Sequence, residues 1–176
     1  MQRVLVIGIS GAGKSTFARA LAARTGLPLI HLDREFWQPG WVTTKRQEWW
    51  PKVGQHAAAS SWIMDGNYGS SLHLRLPRAD TAIWFDYPRV KCLRRAIWRR
   101  VKFRRKVRDD MAPGCPEKFD ADFWRYIWRF NDIQRPEIQQ ALREHGRHLS
   151  PVIFRRDGDA AAFLASLPDR TRPQAT

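Results

Sequence analysis

Long apolar runs are missing from this 176-residue chain, and without about 18 consecutive apolar residues no segment is expected to span a bilayer as a helix. Cysteine is scarce: Cys92 and Cys115 are the only two. Their spacing fits neither a zinc site nor a disulfide framework, so free structural thiols in a reducing compartment are expected. The first residues, Met1 through the apolar Val4 to Ile9 and on to Lys14, lack a signal-peptide core and cleavage site. A cytoplasmic protein with no membrane partner is the expectation. Repeats and low-complexity tracts are also missing, so one domain over residues 1–168 is expected, with a flexible tail at 169–176.

Acid is short as well, with 17 Asp and Glu against 31 Lys and Arg. The shortage is local, because eleven Lys or Arg and no acid lie between Arg89 and Arg108. Nine tryptophans are the other departure from ordinary composition.

What is present alternates in period. Val4 to Ile7 reads as a buried parallel strand ending at Gly8. Lys14 to Arg24 reads as a helix carrying Phe17, Ala20, Leu21 and Arg24 on one face, closed by Thr25-Gly26. Leu29 to Leu32, Trp62 to Met64, Thr81 to Phe85 and Val152 to Phe154 read as further strands, the first three leading to Asp33, Asp65 and Asp86 in turn. Thr44 and Gln47 suggest a capping box for a helix from about Lys45 to Ala59, which Pro51 should kink or split. Pro88 suits the first turn of a helix, Asp120 the cap of one through Phe123, Trp124, Ile127, Trp128 and Phe130, and Asp159 the cap of Ala160 to Leu167. Such alternation implies an α/β protein with a parallel sheet covered on both faces and ligands beyond the strands' carboxyl ends.

Gly8 to Thr16, GISGAGKST, satisfies G-x-x-x-x-G-K-[ST] after a strand and before a helix, the context this phosphate-binding loop requires. Small residues at Gly8, Ser10, Gly11, Ala12 and Gly13 let backbone N–H groups face polyphosphate oxygens, and the helix N-terminus adds positive charge. Lys14 is then placed for the β- and γ-phosphates, Ser15 for Mg²⁺, and Thr16 completes the cradle. ATP or GTP is the implied ligand.

With WIMDGNYG (Trp62 to Gly69) and ADTAIWFDYP (Ala79 to Pro88), the loop resembles the adenylate-kinase-like nucleoside and nucleotide kinases. HLDREFWQPGW (His31 to Trp41) and DDMAPGCPEKFD (Asp109 to Asp120) look like the bacterial DNA-topology-modulation proteins. The resemblance implies a P-loop NTPase fold, three-layer α/β/α with a five-stranded parallel sheet of order 2-3-1-4-5, and a helical lid at about 99–120. It also implies that Asp65 organises Mg²⁺ through water and that Arg95 and Arg99 contact phosphates. One departure is Gly69, where adenylate kinases place the arginine that holds the acceptor's phosphate; Arg75 and Arg78 are the nearby substitutes. In related small-molecule kinases the acid at Asp33 orients or deprotonates an acceptor hydroxyl; alternatively it caps a turn or pairs with Arg34 or Lys45.

Phe36, Trp37, Trp41, Trp49 and Trp50 fall in the segment that covers the acceptor in those kinases, to stack on a base or sugar or to pack the core, with Trp37 the first exception to packing. Asn67 and Tyr68 offer an amide and a phenol to an acceptor, or simply a turn. Asp86 reads as structural, or alternatively as a group that supports the metal's ligands. Arg94, Arg95, Trp98, Arg99, Lys102 and Arg105 recur at helical spacing, for which a clamp on nucleotide phosphates, a nucleic-acid surface and a solvated face compete. Three functions follow: a Mg²⁺-dependent kinase acting on a small acceptor such as a nucleoside or nucleotide; a nucleotide-regulated DNA-binding protein using residues 89–108; and an NTPase that uses water.

Overall fold

The structure, a computed structural model, describes residues 1–104, 106–118 and 120–168. The expectations for the 169–176 tail, for Arg105 in the basic face and for Phe119 lie outside the described residues.

Five parallel strands form the central sheet: β1 (Arg3–Gly8), β2 (Leu29–His31), β5 (Trp62–Asp65), β6 (Thr81–Phe85) and β7 (Val152–Phe154). They lie in the order β2-β5-β1-β6-β7. Counting only these five, the order is 2-3-1-4-5 as expected; the element numbers differ because a small antiparallel hairpin, β3 (Trp37–Gln38) with β4 (Val42–Thr43), is inserted after a short helix α2 (Leu32–Phe36). Val4 to Gly8 of β1 are all buried, which is why the strand reads as a continuous apolar run: both faces are covered.

Helix α1 (Lys14–Thr25) leaves the loop after β1 and stops at Gly26, whose left-handed φ of 72° permits the N–H to bond Ala22 O. Phe17, in its first turn, packs edge-on against Phe85 and Phe154 at centroid distances of 5.4 Å each. Burying such a ring contributes about 1.5–3 kcal/mol, and it fixes the start of α1 to β6 and β7. Helix α8 (Asp157–Ser166) packs on α1, while α3 (Arg46–Ala58) and α7 (Gln134–His145) both lean on α4 (Leu72–Arg75). Helices α5 (Arg89–Lys102) and α6 (Ala121–Arg129) pack together and flank the 103–120 segment.

Several local expectations are corrected. Helix α3 runs through Pro51 as one element, not as the two shorter pieces that were one expectation. The missing donor and ring clash cost about 3 kcal/mol, but Trp49 and Val53 on either side are buried beside Leu32 and outweigh it. Thr44 makes no capping box: its N–H and hydroxyl both bond Phe36 O, closing the hairpin, and α3 starts after Lys45 without a side-chain cap. Asp159 is not the residue before α8 but its third, reaching back to accept from the N–H groups of Arg155 and Arg156 at 2.7 and 2.8 Å. Strand β2 ends at His31 rather than Leu32, and β5 extends to Asp65. The cap by Asp120 is as expected, accepting from Asp122 and Phe123 N–H. Of the α6 aromatics, Phe130 is buried with Ile127, whereas Trp128 is half exposed.

Candidate active site

A cleft of about 1440 Å³ opens beyond the carboxyl ends of β1, β2 and β5. All of Gly8, Ser10, Gly11, Ala12, Gly13, Lys14, Ser15 and Thr16 line it, together with Asp33, Asp65, Arg95 and Arg99. The loop's shape depends on two glycines. A Cβ on Gly8 (φ +130°) would lie 2.3 Å from Phe85 O, and one on Gly11 (φ +84°) 2.3 Å from Cys92 O. The loop is thus wedged between the end of β6 and helix α5, and any side chain at either point would push it out of place.

Lys14 follows at the helix N-terminus, with its Nζ donating to Ile9 O at 2.9 Å across the loop. Burial holds its pKa below the ordinary lysine value, against the opposing pull of Asp65 and Asp33. The parallel register sets His31 beside Asp65, and His31 Nδ1 lies 2.8 Å from Asp65 Oδ2. Asp65 is only 5% exposed, and its Oδ1 is buried with no hydrogen-bond partner. That orphaned oxygen, in a cleft shared with the Ser15 hydroxyl, suits a hydrated divalent cation.

Asp33 lies two residues past the β2 end, in α2, and neither Arg34 nor Lys45 is its hydrogen-bond partner. Instead the Tyr68 hydroxyl donates to Asp33 Oδ1 at 2.6 Å. Burial raises the Asp33 pKa above its usual value, partly offset by this bond and further raised by Asp65. Burial and the Asp33 charge in turn push the Tyr68 phenol up. Tyr68 adopts a left-handed φ of 36°, a conformation that costs a non-glycine residue about 1–2 kcal/mol. Arg75 holds it there. Its guanidinium is wholly buried and donates to Gly66 O, Asn67 O and Tyr68 O at 3.2, 2.6 and 3.0 Å. Burial lowers the Arg75 pKa to about 9. Arg75 therefore holds the Gly66–Tyr68 loop by its main-chain carbonyls, and its guanidinium is already engaged rather than free for a phosphate. Arg78 does not line the cleft either.

Trp37 and Trp41 line the cleft, whereas Trp49 is core, 2% exposed. Asp86 forms a two-point bond with Arg135, at 3.0 and 2.9 Å, and is structural. Both cysteines are free and buried.

The segment after α5 supplies what the sequence reading missed: Arg108, Asp110 and Glu117 line the same cleft. Arg108 pairs with Asp110 Oδ2 and Glu117 Oε1 at 2.8 Å each, and Arg99 Nε lies 3.4 Å from the same Glu117 oxygen. Burial opposes ionisation of Asp110, but Arg108 and the Ser15 hydroxyl hold its carboxyl below the usual range. This segment is stitched to the β3–β4 hairpin: Gly40 N–H donates to Gly114 O at 3.0 Å, Trp41 Nε1–H to Pro116 O at 3.0 Å, and Cys115 Sγ to Gln38 O at 3.1 Å. The two stretches that resemble the DNA-topology-modulation proteins are therefore in direct contact. Nothing short of the folded chain could reveal that, since about 75 residues separate them. Arg95 faces the cleft but pairs with Asp157 at 2.7 Å.

Loop and sheet together define the P-loop class of three-layer α/β proteins. Among solved structures, the chain is similar to a gluconokinase from Sinorhizobium meliloti 1021, with 17% identity and a TM-score of 0.53 over 93% of this chain and 91% of that one. It is also similar to an unliganded sugar kinase from Janibacter sp. HTCC2649, with 16% identity and a TM-score of 0.48 over 94% and 93% of the two chains. The first of these carries the fold. No protein-family model and no curated protein matches the chain. Among the described residues no helix is long and apolar enough to cross a membrane.

Proposed function

We propose that the protein is a kinase that binds ATP, or GTP, in the Gly8–Thr16 loop and transfers the γ-phosphoryl group to a hydroxyl of a small neutral acceptor, a sugar or nucleoside. The observation that carries this reading is the pairing of Asp33 with Tyr68 in the same cleft as Lys14. An acid there is needed by a kinase acting on a hydroxyl and by no mere nucleotide sensor.

Lys14 would leave Ile9 O for the β- and γ-phosphate oxygens, and Arg99 and Arg95 would neutralise charge developing on the phosphoryl group. Ser15 and, through water, Asp65 would hold Mg²⁺, which supplies Lewis-acid stabilisation of the transferring group. Asp33 would accept the acceptor hydroxyl's proton as its oxygen bonds to the γ-phosphorus and the bond to the β–γ bridging oxygen breaks, leaving the nucleoside diphosphate. Trp37 and Trp41 offer apolar faces for a ring. With Arg75 and Arg78 turned away from the cleft, a phosphate on the acceptor lacks its usual partner, which favours a sugar or nucleoside over a nucleotide. Residues 99–120 would act as the lid, in a single domain over 1–168.

The test is a screen of sugars, nucleosides, nucleotides and other hydroxylated metabolites with Mg-ATP, read by the mass gain of a phosphorylated product. A product is expected from the wild type and none from Lys14→Ala of unchanged fold. Normal transfer by that variant refutes the assignment, and release of free phosphate alone points to hydrolysis by water.

A second reading, nucleotide-regulated DNA binding, draws on Arg94, Lys102, Arg104 and Lys106, which are exposed. It is weakened because Arg89, Lys91, Arg95, Arg99 and Arg108 pair with acids elsewhere in the chain. Duplex affinity that ignores ATP and vanishes at physiological salt eliminates it.

A further inference from the structure

We infer that Glu117 sets the choice between nucleoside tri- and diphosphate, as a built-in counter-anion that competes with the terminal phosphate for Arg99 and Arg108. This rests on the nucleotide reading of the cleft given above.

One carboxylate oxygen, Glu117 Oε1, lies 2.8 Å from Arg108 Nε and 3.4 Å from Arg99 Nε. The charges are paired but the hydrogen bonds are not: both Nε–H groups are buried without an aligned acceptor. Such donors are left wanting, since a buried unsatisfied N–H is costly. Glu117 Oε1 lies near both Nε–H groups yet is aligned with neither, whereas a phosphoryl group, with three oxygens spread in space, offers a separate acceptor to each and carries more charge. Burial and the neighbouring Arg108 hold the Arg99 pKa below its ordinary value, with Glu117 opposing. The two cations therefore repel each other and need an anion between them.

Glu117 is not free to leave on its own. Its N–H donates to Lys106 O at 3.2 Å, and its carbonyl accepts from Arg100 Nη1 at 2.5 Å. Its carboxylate is thus presented by the backbone of the proposed lid, and a terminal phosphate arriving at Arg99 and Arg108 must displace it. A diphosphate, one phosphoryl group shorter, meets no such competition. Glu117 consequently weakens the triphosphate's advantage over the diphosphate, and its removal should restore that advantage.

The experiment is calorimetry of the full chain with Mg²⁺ and either β,γ-imido-ATP or ADP, on wild type and Glu117→Gln. The Gln variant should bind the triphosphate analogue about tenfold more tightly, the scale of one charge-assisted contact, with ADP affinity changed less than about twofold. Its melting temperature should fall, because two guanidinium groups lose their shared anion. A merely structural Glu117 predicts the opposite sign, looser nucleotide binding along with lower stability. Weakened analogue binding, or equal tightening of both nucleotides, overturns the inference. If the Gln variant does not fold, Glu117→Asp, shorter by one methylene, should shift the ratio in the same direction by less, and no shift in it is equally fatal. Absence of heat from either nucleotide with wild type removes the nucleotide reading itself, whereas triphosphate binding with the wrong sign removes only the role of Glu117.

Discussion

Replacing Gly114 by alanine should unfasten the 103–118 segment from the hairpin while leaving the sheet intact. Gly114 has φ +76°, and a Cβ there would lie 2.9 Å from Pro39 Cβ and 3.2 Å from Pro39 Cα. The left-handed conformation costs an L-residue about 1–2 kcal/mol, and overpacking adds about 1–3 kcal/mol. Gly40, across the same contact, is the matched control: its φ is +80°, but nothing lies within 4 Å of the Cβ position. Gly40→Ala therefore carries the conformational cost alone. With about 1.4 kcal/mol per factor of ten, the closed arrangement should lose about 30-fold or more in Gly114→Ala and about five- to 30-fold in Gly40→Ala. Trypsin reads this directly, because Arg104, Lys106 and Arg108 lie in the segment and nicking tracks the open population when closure is fast. Gly114→Ala should be nicked there faster than Gly40→Ala, and both faster than wild type, with little change in the melting of the core. Equal rates in the two variants, or wild-type resistance in Gly114→Ala, would refute the reasoning.

Asp33 should give phosphoryl transfer an acidic limb displaced above the usual aspartate range, because the carboxylate form is the base and burial raises its pKa. A raised folded-state pKa contributes stability that is full below the unfolded value and lost as pH rises through the folded one. Asp33→Asn should therefore abolish transfer yet melt higher than wild type, by a margin that widens across that window; a margin independent of pH contradicts this. Cys92, whose thiol burial pushes up to about 11, and the buried Cys115 should both resist alkylation at pH 8 until denaturant is added. Fast labelling of either in the native protein would contradict the packing described.

The phosphate loop, the strands β6 and β7, the Gly26 stop and the Asp120 cap were legible because each is set by a few adjacent residues with one physical solution. Pro51 misled because its penalty is local while the burial of Trp49 and Val53 that overrides it is tertiary. The hairpin, α2 and α7 went unread: β3 and β4 are two residues each, too short for a period to register. At the site, Lys14 was singled out by the loop motif, and Asp65 and Arg99 by the family resemblance; all three line the cleft. The bond from Tyr68 to Asp33 spans 35 residues, and no spacing rule reaches that far. Arg108 and Glu117 were invisible for the same reason, as was the use of Arg75, which looked like a ligand-binding arginine until its burial showed it bonded to main-chain carbonyls.

The sheet order also has a consequence for biosynthesis. Strand β1 leaves the ribosome first, yet its two neighbours are β5 and β6, with Gly8 beside Phe85. At about 5–20 residues per second, that apolar strand waits on the order of four to fifteen seconds for its second partner to be made. Until then at least one edge of β1 has no strand to pair with, and an unpaired apolar edge is the kind of surface that aggregates.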